Sequence, residues 1–173
     1  MKQKIDFVLC DDRYYYRDIF RFYPRRTYVH GFEDDPPTNW SEVYKVYYTW
    51  AIIRQYYDDE NNVIVPEESE VLFSIDYDES SMIPNLPDII RRVMKMGETF
   101  DYPTFGQPAG DWKIERVAWE DNNSKRCEQY WFQVFNNWTN QGIKFTLNKE
   151  ETLKFIEYLE RINQYALEHG EGM

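Results

Sequence analysis

From Trp112 to its end, this 173-residue chain reads as a run of strands closed by a helix, and that run limits what the remainder can build. Trp112 to Glu120 and Arg126 to Asn136 are rich in aromatic and β-branched residues, with only Asp121-Asn122-Asn123-Ser124-Lys125 between them. A polar loop that short predicts a β-hairpin. Gly142 leads a third strand in which Ile143, Phe145 and Leu147 share a face. Asn148 followed three residues later by Glu151 is a capping box. Leu153, Ile156, Leu159, Ile162 and Ala166 then mark the apolar stripe of a long helix, which Gly170 ends. Strands joined by short turns favour antiparallel pairing. The expected fold class is α+β: a largely antiparallel sheet with helices packed against it, ending in a hairpin, a third strand and a long C-terminal helix.

The first two thirds are less regular. Ile5 to Cys10 suits a buried strand. Asp11 or Asp12 is then placed to cap a helix bearing Tyr16, Ile19, Phe20 and Tyr23 on one face and Arg13, Arg17 and Arg21 on another, stopped by Pro24. A strand is the rival reading, because tyrosines favour sheets. Glu33-Asp34-Asp35-Pro36-Pro37 reads as an exposed loop. Asn39 and Glu42 resemble a second capping box, opening a helix with Val43, Val46, Tyr47, Trp50, Ile53 and Tyr57 in its stripe. Asp58-Asp59-Glu60-Asn61-Asn62 is a charged turn, Val63 to Val65 a short apolar segment, and Pro66-Glu67-Glu68 another turn. Glu70 to Asp78 alternates, with Val71, Phe73, Ile75 and Tyr77 on one face and Leu72, Ser74 and Asp76 on the other, as in a half-wetted strand. Pro87 and Asp88 open a helix that packs Ile89, Ile90, Val93 and Met94 inward and ends at Gly97. Thr99 to Asp111 holds Pro103, Gly106, Pro108 and Gly110 and is expected to be a loop.

The length fits a single domain over residues 1–173, since two would each have a thin core. Fifteen Tyr, 11 Phe and 6 Trp argue for a packed interior, because each buried ring removes roughly 150–250 Å² from water. Cys10 and Cys127 form no disulfide framework or metal-ligand spacing and are expected to be small buried residues with free thiols. Met1 to Asp6 lacks the apolar run of a signal peptide, and no stretch reaches the roughly 20 apolar residues of a membrane span. The expectation is a cytoplasmic protein with no membrane partner.

Charge is distributed unevenly. The formal net charge is −11. Between Tyr28 and Asp88 stand 14 acids and two bases, Lys45 and Arg54, so this segment alone carries −12. Crowded carboxylates repel one another unless a cationic partner meets them. The expected partner-binding residues are Glu33, Asp34, Asp35, Asp58, Asp59, Glu60, Glu67, Glu68, Glu70, Asp76, Asp78 and Glu79, with Tyr56, Tyr57 and Tyr77 as bordering anchors.

Catalytic signals are weak. His30 precedes a glycine in a loop, and His169 falls near a helix C-terminus, where a cation is favoured by the helix dipole. No nucleophile elbow, phosphate-binding glycine loop, zinc-protease motif or Cys-x-x-Cys occurs. No catalytic residue, metal ligand or cofactor is expected. A metal-dependent hydrolase using Asp76 and Asp78 is an alternative, as is a hard cation on Asp58-Asp59-Glu60, but acidic surroundings repel phosphate substrates. Arg13, Arg17, Arg21, Arg25 and Arg26 interleave with aromatic residues in the manner of single-strand binders. The overall negative charge makes direct nucleic-acid binding an unfavoured reading, and pairing of these arginines with the chain's own carboxylates a more economical one.

The ending Tyr130-Trp131-Phe132-Gln133-Val134-Phe135, then Ile143 to Glu151, resembles that of the bacterial immunity proteins of polymorphic toxin systems, which are small, acidic and rich in Tyr and Trp. The resemblance covers about a quarter of the chain and implies a non-catalytic inhibitor that neutralises a basic toxin, such as a nuclease. No residue role follows from it. The alternative binding protein is a phage-type DNA mimic directed at a restriction or CRISPR nuclease. Self-association into a homo-oligomer is compatible with either.

Overall fold

A computed structural model describes residues 4–12, 15–28, 44–60, 62–76, 84–102, 110–136 and 141–169. In chain order the elements are β1 (Ile5–Asp12), β2 (Tyr16–Tyr28), β3 (Tyr44–Tyr57), β4 (Ile64–Asp76), α1 (Leu86–Met96), β5 (Phe100–Tyr102), β6 (Gly110–Glu120), β7 (Arg126–Asn136), β8 (Gln141–Asn148) and α2 (Lys149–His169). They form two four-stranded antiparallel sheets, ordered β1-β2-β3-β4 and β5-β6-β7-β8. Each sheet is followed in sequence by one helix. The class is α+β, with two sheets rather than one.

Both segments read as helices in the first third are strands. β2 and β3 pair in unbroken register from Tyr16↔Tyr56 to Tyr28↔Tyr44. The physical reason lies in burial on both sides. Phe20, Phe22, Tyr48, Trp50 and Ile52 face the interior, while Ile19, Ala51 and Ile53 on the opposite face are buried as well. In β3, burial on both faces removes the alternation, and the continuous run Trp50-Ala51-Ile52-Ile53 matches helical spacing by accident; in β2, Ile19 does the same at one position. Pro24 does not stop the element. It lies past the last β1–β2 pair, Ile5↔Phe22, where a missing N–H is tolerated.

β4 joins what the sequence divides. Ile64 and Val65, the expected turn at Pro66 and the alternating stretch as far as Asp76 fall in one edge strand, and Pro66 sits where the register jumps from Val65↔Tyr56 to Glu70↔Arg54, the setting in which a strand accepts proline. Its register slips between Ile52↔Phe73 and Ile53↔Val71. The slip removes Val71 from the face of Phe73: Phe73 is buried and Val71 is half exposed. Three residues of the expected loop, Phe100–Tyr102, pair with Trp112 to Ile114 as β5.

Elsewhere the local chemistry works as expected. The β6–β7 turn is held by Asp121, whose Oδ1 accepts the N–H of Asn123 and of Lys125, while Ser124 takes a left-handed φ of +58°. Asn148 Oδ1 accepts the Glu151 N–H and Glu151 Oε1 accepts the Asn148 N–H, completing the capping box. Gly97 ends α1 in the left-handed region. The stripe of α2 is shifted from the expected one: Leu153 is exposed, and Thr152, Phe155 and Tyr158 are buried with Ile156, Leu159, Ile162 and Ala166. Cys10 is exposed and Cys127 half buried, so neither is a core residue. The β1 register breaks between Val8 and Cys10, and Cys10 pairs with Asp18 toward the end of the strand, past the apolar cluster.

One apolar cluster joins both sheets and both helices. Trp50 stacks on Phe20 at 5.0 Å and on Trp112 at 5.4 Å, linking the first sheet to the second. Phe155 of α2 meets Phe20, Phe132 and Phe145 edge-on. Burying each such side chain contributes about 1.5–3 kcal/mol. The Tyr158 hydroxyl donates to the carbonyl oxygens of Ile5 and Phe20, tying α2 to β1 and β2. The Nε1 atoms of Trp50 and Trp112 are buried without a hydrogen-bond partner among the described residues.

Candidate functional site

The acidic residues gather at one end of the first sheet because two turns meet there. The β3–β4 hairpin reverses over Asp58–Val63, with the Asp58 N–H donating to Val63 O and the Asn62 N–H to Asp58 O. Asp58 Oδ1 accepts the Glu60 N–H, and Asn62 adopts a left-handed φ of +53°. Such a turn projects Asp58, Asp59 and Glu60 beyond the sheet, and β4 returns from it carrying Glu67, Glu68 and Glu70. The β1–β2 turn lies alongside. The Tyr15 N–H donates to Asp12 O, and the Tyr57 N–H to Tyr15 O. The Tyr57 hydroxyl donates to Asp11 Oδ1 at 2.6 Å. Asp11, Asp12 and the exposed Tyr15 therefore belong to this end of the sheet too.

Beneath this rim the polar groups are bonded to one another. Arg54 bonds Asp18 at 2.8 and 3.0 Å and lies 4.1 Å from the centre of the Tyr16 ring. Arg17 donates to Gln55 Oε1 at 2.6 and 3.1 Å. Tyr56 donates to Glu70 Oε2 at 2.9 Å, and this bond raises its hydroxyl pKa above the ordinary value. At the rim itself the matching stops. The side chains of Asp59, Glu60, Glu67 and Glu68 make no ion pair among the described residues.

Of the remaining expected site residues only Asp76 is among the described residues, and it does not join this end. Asp76 pairs with Thr49 at the far end of β4, whereas Ile64 beside the hairpin pairs with Tyr57, a separation of roughly 26 Å along β3 at about 3.3 Å per residue. Glu33, Asp34, Asp35, Tyr77, Asp78 and Glu79 lie outside the described residues, as do His30 and Arg13. Asp88 belongs to α1 and bonds Arg91. Of the basic series, Arg21 pairs with Asp6 at 2.8 Å. Among the described residues no group of three or more His, Cys, Asp or Glu is arranged to hold a metal ion, and no helix is long and apolar enough to cross a membrane. Asp11, Asp12 and Tyr15 escaped the sequence reading because the Asp-Asp doublet also suits a helix cap. An aspartate doublet preceding a tyrosine run, read as a hairpin turn, would have found them.

The sequence matches no protein-family model and no curated protein. Among solved structures, the chain is similar to the plant transcriptional regulator PBF-2, at 12% identity over 96% of this chain and 83% of that one, with a TM-score of 0.30. It is similar to WHY3 from Arabidopsis thaliana at 10% identity over 94% and 85% of the two chains, with a TM-score of 0.29. For WHY1 from Arabidopsis thaliana the identity is 13% over 100% and 97%, with a TM-score of 0.32. Likeness at this level carries no argument, and function rests on the geometry of the chain itself.

Proposed function

We propose that this chain is a non-catalytic binding protein whose acidic, tyrosine-bordered hairpin end docks on a basic protein surface, as an inhibitor of a cationic toxin would. The observation that carries the reading is the convergence of the β1–β2 turn and the β3–β4 hairpin, which sets Asp11, Asp12, Asp58, Asp59, Glu60, Glu67, Glu68 and Glu70 at one end of a sheet. Four of these carboxylates have no ion-pair partner among the described residues, so a cationic surface is the partner that lowers their energy most. Tyr15, Tyr56 and Tyr57 stand among them, and tyrosines are the side chains most used as anchors at such interfaces. Steering by the acidic end speeds encounter, and desolvated pairs slow release.

The test is affinity purification of the tagged chain from the cells that encode it, beside a variant carrying Asp58→Lys, Asp59→Lys and Glu60→Lys. Retention of a basic protein by the native chain, lost in the triple variant, supports the reading. Retention that the variant leaves unchanged overturns it. A DNA mimic would use the same carboxylates; competition between the native chain and duplex DNA for a captured nuclease identifies that case.

A further inference from the structure

Away from the acidic end, the molecule carries a cleft of opposite sign. A cavity of about 620 Å³ opens between the β6–β7 hairpin, the start of α2 and Met94 of α1. Four bases line it, Arg116 from β6, Lys125 from the turn, Arg126 from β7 and Lys149 from α2, against two acids, Glu128 and Glu150. In a chain of net charge −11, the lining of this cleft is +2. The two acids are already engaged. Glu128 accepts a hydrogen bond from Arg116 at 3.0 Å and forms an ion pair with Lys149 at 3.6 Å, and Glu150 lies 3.5 Å from Lys154. The side chains of Lys125 and Arg126 make no ion pair among the described residues.

The helix N-terminus is not the source of the positive character. Asn148 Oδ1 already takes the Glu151 N–H, so the cap uses part of what the first turn offers. The side chains supply the charge. Glu128 holds the Arg116 guanidinium against the wall, which presets its geometry, and planar guanidinium groups fixed in this way suit phosphate oxygens. Met94 and the buried Tyr130 line the same cleft and give it apolar surface. Its volume falls within the roughly 300–1,000 Å³ of small-molecule sites.

We propose that this cleft binds an oligophosphate group carried by a metabolite-sized molecule. Cations on four separate elements surround the space, so a group bearing several charges meets them together, where a single carboxylate would meet one or two. The site is independent of the acidic end and of any partner held there.

The test titrates the full chain with inorganic tripolyphosphate by calorimetry at about 50 mM salt, where surface charges are only partly screened. Two double variants are titrated beside it: Lys125→Ala with Arg126→Ala in the cleft, and Lys113→Ala with Lys144→Ala on the exposed side of the same sheet. All four side chains are solvent-facing, so each variant is expected to fold. Saturable one-site binding that weakens about tenfold or more in the first variant and is unchanged in the second supports the proposal. No saturable binding to the native chain overturns it, as does equal binding by the cleft variant or an equal loss in both variants.

Discussion

Arg54 and Asp18 stand directly opposite one another in the β2–β3 ladder and close a two-point salt bridge, Nε to Oδ1 at 2.8 Å and Nη2 to Oδ2 at 3.0 Å. Asp18 is buried, and its hydrogen bonds raise the Arg54 pKa, so the guanidinium stays charged at any ordinary pH. Arg54 is thus the fixed counter-charge beneath a rim of carboxylates. Its removal strands a desolvated carboxylate in a region that is already negative. Arg54→Met is expected to lower unfolding free energy in urea by about 2–4 kcal/mol, and Asp18→Asn by about 1–2 kcal/mol because Arg54 keeps access to water. A loss below about 0.5 kcal/mol in both would mean that the pair is electrostatically idle.

The halves of the chain differ in how plainly their sequences announce their fold. β6 and β7 each have one wet face: Trp112 and Ile114 alternate with Asp111, Lys113 and Glu115, Phe132 and Val134 flank Gln133, and Asp121 marks the turn. β3 is a central strand buried on both faces from Tyr48 to Ile53, and Ala51 and Ile53, with Ile19 of β2, fill positions where polar residues would have shown the period. The site was legible in the same uneven way. Asp58, Asp59 and Glu60 belong to one turn and are recognisable from composition. That Asp11 and Asp12 lie beside them depends on a hydrogen bond between residues 46 apart, Tyr57 and Asp11, and so does the placement of Asp76 at the other end of β4 depend on register. No local pattern encodes either.

Tyr158 gives the fold a predictable alkaline limit. Burial, aided by Asp6, raises its hydroxyl pKa above the ordinary value near 10. The unfolded chain therefore releases this proton at a lower pH than the folded one. The stabilisation is complete below about pH 10 and declines as pH rises beyond it. Unfolding midpoints measured between about pH 8 and 11 are expected to fall at the upper end, and Tyr158→Phe is expected to flatten that fall. The same variant loses the bonds to Ile5 and Phe20 and is destabilised by about 1–3 kcal/mol at neutral pH. An identical alkaline slope in both proteins would rule Tyr158 out as its cause.

Trp131 and Phe132 are neighbours in sequence with opposite consequences. Phe132 is 1% exposed and stacks on Phe145 at 4.9 Å, whereas Trp131 is 49% exposed on the other face of β7. Phe132→Ala is expected to cost about 3–5 kcal/mol through the cavity it leaves. Trp131→Ala, on the wet face, is expected to cost no more than about 1 kcal/mol. Comparable losses in chemical denaturation would show that the outer face of the second sheet is covered in the native protein.

The rim carboxylates set stability against binding. Glu67 and Glu68 are exposed on the edge strand that follows the turn bearing Asp58, Asp59 and Glu60, and like charges gathered at one end of a sheet repel one another. Salt screens such repulsion within roughly 10 Å at 0.1 M. The native chain should therefore melt at a higher temperature as sodium chloride rises from about 10 to 300 mM. Glu67→Lys with Glu68→Lys should raise the melting temperature at low salt and shrink the salt-dependent gain, because attraction replaces repulsion at the same positions. The same substitutions should weaken capture of a basic protein. Stability gained together with affinity lost is the pattern expected of a surface kept acidic for a partner. If the double variant melts lower than the native chain at low salt, these carboxylates are not repelling one another, and the energetic case for an external cation at this end fails.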